Sequence, residues 1–163
     1  MIPERWKPIA GYETRYEVSN YGDVKSLPFM QRGVSKNGLE YYRRTREKIL
    51  SQQLINSGYF IVHLWLDSAR IAFTVHRLVA KAFLPGYGDE VNHEDGDKRN
   101  NCDWNLKWMS STDNKLHAVY AGLNSQAVRV KHPETAEVYA SITQAAKTTA
   151  IGDKIIRKYW ERM

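Results

Sequence analysis

Cysteine occurs once in these 163 residues, at Cys102. A single thiol excludes a disulfide framework and any cysteine-based zinc site, and it suits a reducing cytoplasm. No stretch reaches the roughly 20 consecutive apolar residues of a membrane span, and the leading MIPERWKPIAGYE lacks the apolar core of a secretory signal. A soluble, intracellular chain with no membrane partner and no structural zinc is therefore expected. Internal repeats and low-complexity segments are also missing, so each segment is read on its own.

What the chain does have is enough apolar material, 42% of residues with 12% aromatic, for one real core but hardly for two large ones. The net charge is +6 and the pI about 9.4, a balance that favours polyanionic partners over neutral metabolites. Residues 1–60 hold ten Lys/Arg against six Asp/Glu, residues 61–127 seven against eight, and residues 128–163 seven against four. Two basic ends thus flank a slightly acidic centre. Arms that grip phosphates around a centre that holds a divalent cation would have this distribution, and so would ordinary solvated surfaces.

Trp6 to Leu27 reads as short strands separated by Gly11, Ser19-Asn20 and Gly22. QRGVSKNGLEYYRRTREK, which follows, is polar and aperiodic: a long loop or a flexible hairpin arm, crowding Arg43, Arg44, Arg46 and Lys48 into six residues. Tyr59–Leu66 and Ile71–Val75 pattern as a hairpin turning at Asp67-Ser68. The period then switches, because Leu78, Val79, Ala82 and Phe83 form one helical stripe that Pro85 ends. A short strand to Val91, a polar loop over 94–105, a strand over 106–109 and a helix begun by Ser110, with Asp113 completing a capping-box pattern, come next. In the tail, VRVKHPETAEVYAS reads as a small hairpin, then ITQAAKTTA and GDKIIRKYWERM as two helices split near Gly152. Ser141 and Gln144 supply the first of these with a second capping box.

Between Val91 and Ala118 the sequence VNHEDGDKRNNCDWNLKWMSSTDNKLHA gathers the groups that phosphodiester chemistry needs. Attack on a phosphate calls for an activated water and a cation that neutralises charge on the phosphoryl and leaving oxygens. His93 can activate water, since an imidazole titrates near the working pH. Asn92 and Asn114 offer hard amide oxygens of the kind magnesium accepts alongside waters and substrate phosphate.

VHRLVAKAFLP, VNHEDGDKRNN and NLKWMSSTDN, in that order and spacing, resemble the HNH homing endonucleases of phages and introns, whose ββα-metal (His-Me finger) fold surrounds a His-Asn-Asn or His-Asn-His triad. The resemblance implies that His93 is the water-activating base, Asn105 the asparagine that braces the loop, Asn114 the metal-binding helix residue and Asn92 the second ligand. Some relatives carry Asp at the position of Asn92, and a neutral amide there should bind the cation more weakly. His117, three residues after Asn114, reads as the imidazole of an HNH-type site, a phosphate contact or a surface residue. Trp6 to Leu27 is similar to a nuclease-associated module that precedes such domains, and Ser141 to Trp160 to a helical DNA-reading module that follows them.

The expected fold is accordingly α+β: residues 1–55 a strand-rich DNA-binding module with a basic arm, 56–124 the HNH ββα-metal nuclease core, and 125–163 a hairpin plus helix-turn-helix-like DNA-binding module. The resemblance implies hydrolysis of double-stranded DNA with magnesium or manganese, one divalent cation, leaving a 5′-phosphate and a 3′-hydroxyl, and the single His93-Asn105-Asn114 constellation in the sequence predicts that one strand is cut. It also implies a phage-encoded protein acting in the cytoplasm of a bacterial host, and a monomer on DNA is expected because the sequence has no long heptad pattern or extended exposed apolar helix to pair two copies. Arg43, Arg44, Arg46 and Lys48, and on the last helix Lys154, Arg157 and Lys158, are the candidate DNA contacts. The competing reading is a non-catalytic DNA-binding protein with a vestigial nuclease fold. His63, His76 and His132 read as structural, and Trp6, Tyr12, Tyr16, Trp65, Trp104 and Trp108 as packing residues.

Overall fold

The computed structural model of the chain describes residues 2–66, 69–120 and 128–163. It forms two compact units, Met1–Trp108 and Met109–Met163. In the first, β1 (Trp6–Pro8), β2 (Tyr16–Ser19) and β3 (Val24–Ser26) make an antiparallel meander with Trp6 opposite Ser19 and Glu17 opposite Lys25. The chain leaves this sheet as a hairpin, β4 (Met30–Val34) and β5 (Glu40–Arg44), and returns as β6 (Lys48–Ile49) to give the order β1-β2-β3-β6. The aperiodic basic stretch is therefore a hairpin arm. Its tip is closed by hydrogen bonds between Ser35 and Leu39.

A second sheet follows, β7 (Gln53–Leu54), β8 (Phe60–Leu66) and β9 (Ala69–Thr74), all antiparallel neighbours. The turn expected at Asp67-Ser68 lies outside the described residues. Alternation along β8 buries Val62 and Leu64 while Trp65 points the other way and stays half exposed. Helix α1 (Val75–Phe83) buries Val75, His76, Leu78 and Val79 and stops where Leu84 turns extended before Pro85. β10 (Glu90–His93) and β11 (Leu106–Met109) pair as a two-stranded sheet, with the polar loop and a 3₁₀ turn, Asp103–Asn105, between them.

One apolar core takes Val18 and Val24 from the N-terminal strands, Val62 and Leu64 from β8, Val75, Leu78 and Val79 from α1, and Val91 and Leu106 from the last pair. A fully buried aliphatic side chain contributes roughly 1.5–3 kcal/mol, against about 0–1 kcal/mol for a surface ion pair. The N-terminal strands are thus bound into this unit by shared burial rather than by surface contacts.

In the second unit α2 (Ser111–Tyr120) begins after Ser110, whose Oγ accepts the Asp113 amide at 3.1 Å. Residues 121–127, where the boundary between 124 and 125 was placed, are outside the described set. β12 (Val130–Lys131) and β13 (Val138–Tyr139) form the expected hairpin, and His132 organises its turn by accepting the Glu134 and Thr135 amides on Nδ1. α3 (Ile142–Thr149) is capped by Ser141, whose side chain accepts the Gln144 amide. α4 (Asp153–Tyr159) follows the break at Gly152.

The last helix is shorter than the sequence suggested. Trp160 turns extended and is buried with Val130, Tyr139, Ile142, Ala145 and Ile156, and β14 (Glu161–Arg162) then pairs antiparallel with β12. Burial of the indole and completion of the sheet edge outweigh continued helix. Among the described residues no helix is long and apolar enough to cross a membrane.

Candidate active site

His93 closes β10 and is 4% exposed; Asn92 before it is also buried. From there the chain runs through a polar loop that must keep its shape without an apolar core. Gly96 takes a left-handed turn (φ 75°), and its amide returns to the His93 carbonyl at 3.0 Å. Asn105, at the far end, clamps the loop. Its Oδ1 accepts the Asp95 amide at 3.1 Å, while its Nδ2 donates to Asp95 Oδ1 and to the Asn100 carbonyl, both at 2.9 Å. Asp95 completes the brace by accepting the Asp97 amide and the Asn100 side-chain Nδ2 at 2.8 and 2.7 Å. Burial pushes the Asp95 carboxyl up, but the donors from Asn100, Asn105 and the Asp97 amide outweigh it and hold the group below its ordinary range.

The brace role expected of Asn105 fits this geometry. Asp95, its reciprocal partner, was missed, because an Asp in an Asp-Gly turn reads as turn chemistry and nothing in the spacing announces a partner ten residues away. Asn101 was missed too. Its Oδ1 lies 3.2 Å from His93 Nε2, both side chains being buried.

The His93 ring also packs against others. His76 on α1 lies with its centroid 5.3 Å from that of His93 and 4.6 Å from that of Tyr59, and Tyr59 is 6.0 Å from His93. Lys98 covers the outer face of Tyr59, its Nζ 4.7 Å from the ring centroid and donating to the Ser57 carbonyl at 3.0 Å. His76 is thus more than a helix-start residue. Burial, then the neighbouring His93 and Arg77, lower its pKa to about 4, so it is neutral at physiological pH. Burial also lowers that of His93, although the Asn101 hydrogen bond and the Asp95 and Asp97 carboxylates work the other way. A buried neutral imidazole at the mouth of an acidic loop is chemically a base.

The Asn92 side chain makes no hydrogen bond among the described residues, and its carboxamide oxygen is a hard donor of the kind a divalent cation accepts. No group of three His, Cys, Asp or Glu that could cage a metal occurs among the described residues. Hard, neutral amide donors fit a magnesium-type ion that keeps most of its waters. Asn114 and His117 belong to α2 in the second unit. The Asn114 amide bonds the Ser110 carbonyl, and His117 Nδ1 is buried without a hydrogen-bond partner among the described residues.

Arg43 and Arg44 are on the exposed arm strand β5, Arg46 follows it, and Lys48 is on β6 at the sheet edge. The Arg43 guanidinium donates to Gln31 Oε1 across the hairpin. Lys154, Arg157 and Lys158 all lie on the exposed side of α4, whose buried residue is Ile156. None of the seven has a carboxylate partner among the described residues. Trp104 is 46% exposed and packs edge-on against Tyr21, so it too lies outside the core.

Residues 4–65 match the NUMOD4 motif family. DNA endonuclease I-HmuI of Bacillus phage SP01 is 39% identical over 111 residues, 67% of this chain and 54% of that protein. An uncharacterized HNH endonuclease, L247, of Acanthamoeba polyphaga mimivirus is 34% identical over 161 residues, 91% of this chain and 36% of the relative. A solved structure of the HNH homing endonuclease I-HmuI, concerned with its DNA binding and cleavage, matches with a TM-score of 0.59 at 28% identity, covering 94% of this chain and 87% of that one. The chain spans 31–54% of the length of the curated relatives it matches.

Proposed function

We propose that the chain, which is similar to HNH homing endonucleases in sequence and in fold, is itself a divalent-metal-dependent endonuclease acting on double-stranded DNA. The observation that carries this reading is the buried His93 at the head of a loop clamped by Asn105 and Asp95. In the proposed reaction His93 takes a proton from water as the water oxygen attacks phosphorus. The bond from phosphorus to the 3′ oxygen breaks, leaving a 5′-phosphate and a 3′-hydroxyl. Asn105 and Asp95 hold the loop that presents the imidazole. A bound divalent cation, magnesium or manganese, supplies charge neutralisation at the phosphoryl and leaving oxygens.

The ligand roles of Asn92, Asn114 and His117 rest on the resemblance to the family and are part of this proposal. So are the DNA contacts of Arg43, Arg44, Arg46, Lys48, Lys154, Arg157 and Lys158, which are supported by exposed cations without carboxylate partners, and the division of labour among residues 1–55, 56–124 and 125–163. The test is incubation with supercoiled plasmid, with magnesium or with a chelator, followed by sequencing of the ends. Metal-dependent cleavage that His93→Ala abolishes, with plasmid affinity retained, is the expected outcome. Tight binding without cleavage under any metal would make the chain a vestigial-fold DNA-binding protein instead.

A further inference from the structure

Asn101 touches two things at once: the base, and the N-terminal sheet. Its Oδ1 faces His93 Nε2 at 3.2 Å in a site where both residues are about nineteen-twentieths buried. An amide oxygen has only lone pairs to offer, so the contact is a hydrogen bond when Nε2 carries the proton. A neutral imidazole has one such proton, and its lone pair then sits on Nδ1, which bonds to no described residue.

The other side of Asn101 is held from some eighty residues away in sequence. Gly22 has φ +96°, and a Cβ placed on it would stand 2.9 Å from Asn101 Cβ and 3.5 Å from both the Asn101 carbonyl and Val75. The turn that presents Gly22 is rigid: the Ser19 amide donates to the Asp23 carbonyl at 2.7 Å, and Ser19 Oγ accepts the Tyr21 and Asp23 amides. Gln52 Nε2 bonds the Gly22 carbonyl at 2.8 Å. Two residues before Gly22, the Asn20 carbonyl accepts the Asp103 amide at 2.9 Å, and Arg5 pairs with the Asp103 carboxylate. The wall of the catalytic loop is therefore built by the strand-rich N-terminal part.

We propose that Asn101 is a positioning residue that fixes His93 in the Nε2–H tautomer with Nδ1 as the basic atom, and that the Ser19–Asp23 turn holds Asn101 in place. The N-terminal strands are then half of the active-site scaffold as well as a DNA grip. This rests on the reading of His93 as the base.

The test uses the full chain labelled with ¹⁵N-histidine at pH 8, above the ordinary imidazole pKa of about 6.5. His93 is identified by its loss in His93→Gln. A protonated Nε2 and a pyridine-type Nδ1 are expected in the wild type, and a protonated Nδ1 would overturn the proposal whatever the variants do. Asn101→Ala should give mixed tautomers and lower kcat at least about tenfold with plasmid Kd unchanged. Asn101→Asp, which keeps an acceptor oxygen, should restore the Nε2–H signal and most of kcat. Gly22→Ala should reproduce the mixed tautomers; if it does not fold, Gln52→Ala takes its place with a smaller shift in the same direction. A Gly22→Ala protein with wild-type tautomer and kcat would overturn the role of the turn. Wild-type protein that shows the Nε2–H tautomer but cuts no DNA would count against the nuclease reading alone.

Discussion

Removing the carboxamide of Asn105 would strip partners from the Asp95 amide, the Asp95 carboxylate and the Asn100 carbonyl in one step. A hydrogen bond between partly exposed groups contributes about 0.5–1.5 kcal/mol net, so Asn105→Ala, which loses three of them, should lower unfolding free energy by about 1–3 kcal/mol, read from urea titrations, and should lower kcat without weakening plasmid binding. His76 gives a different signature. Its pKa of about 4 in the folded chain lies below the ordinary 6.5, so the unfolded chain binds more protons between those values. Stability is then complete above about pH 6.5 and lost as pH falls toward 4, by about 2 kcal/mol at pH 5. Urea midpoints at pH 7.5 and pH 5 check this, and His76→Phe should narrow the gap; an unchanged gap would place the proton uptake elsewhere. Of these residues, His93 was legible from its chemistry and Asn105 only through the resemblance to a known family. Asn101 and Asp95 were not, because polar residues in an aperiodic loop carry no signal of which neighbour they bond, and the contact of Asn101 with Gly22 exists only after folding.

Elements were legible where one face is buried. The stripe of α1 and the alternation of β8 are imprints of the core they meet. The arm hairpin lacked such an imprint, since β5 is exposed along its whole length and no period had to be written into it. β14 was invisible for another reason: two residues paired with β12 are shorter than any periodic window. The arm carries a prediction of its own. Arg43 and Arg44 extend into solvent on β5 without carboxylate partners among the described residues. If both contact phosphates, Arg43→Gln with Arg44→Gln should flatten the slope of log K against log salt by about 1.8, at roughly 0.9 per phosphate contact on duplex DNA. Cleavage at saturating DNA should change little. An unaltered slope would return the arm to the status of a solvated surface.

At the scale of the whole molecule the number of strands cut follows from the number of sites. The sequence contains one His93-Asn105 constellation and no repeat of it, and one site meets one scissile phosphate at a time. Breaking both strands together would need a second copy related by symmetry, with its own His93 placed against the opposite strand. Of the exposed apolar residues of the first unit, Met30, Val34, Leu39, Tyr41 and Tyr42 lie on the narrow arm, and the others, Ile2, Ile49, Leu54, Trp65, Ile71, Tyr87 and Trp104, come from separate segments. A stable protein interface buries about 800 Å² on each partner, and a two-stranded arm between charged side chains is a poor source of that area. We therefore expect a monomer that nicks. Supercoiled plasmid should convert to open circle at a rate linear in protein concentration, with linear DNA arising late, from independent nicks that happen to fall opposite one another. Linear product formed from the outset, at a rate rising with the square of protein concentration, would establish a dimeric double-strand cutter. The ends sequenced in the same experiment would then show cuts paired across both strands instead of a break confined to one.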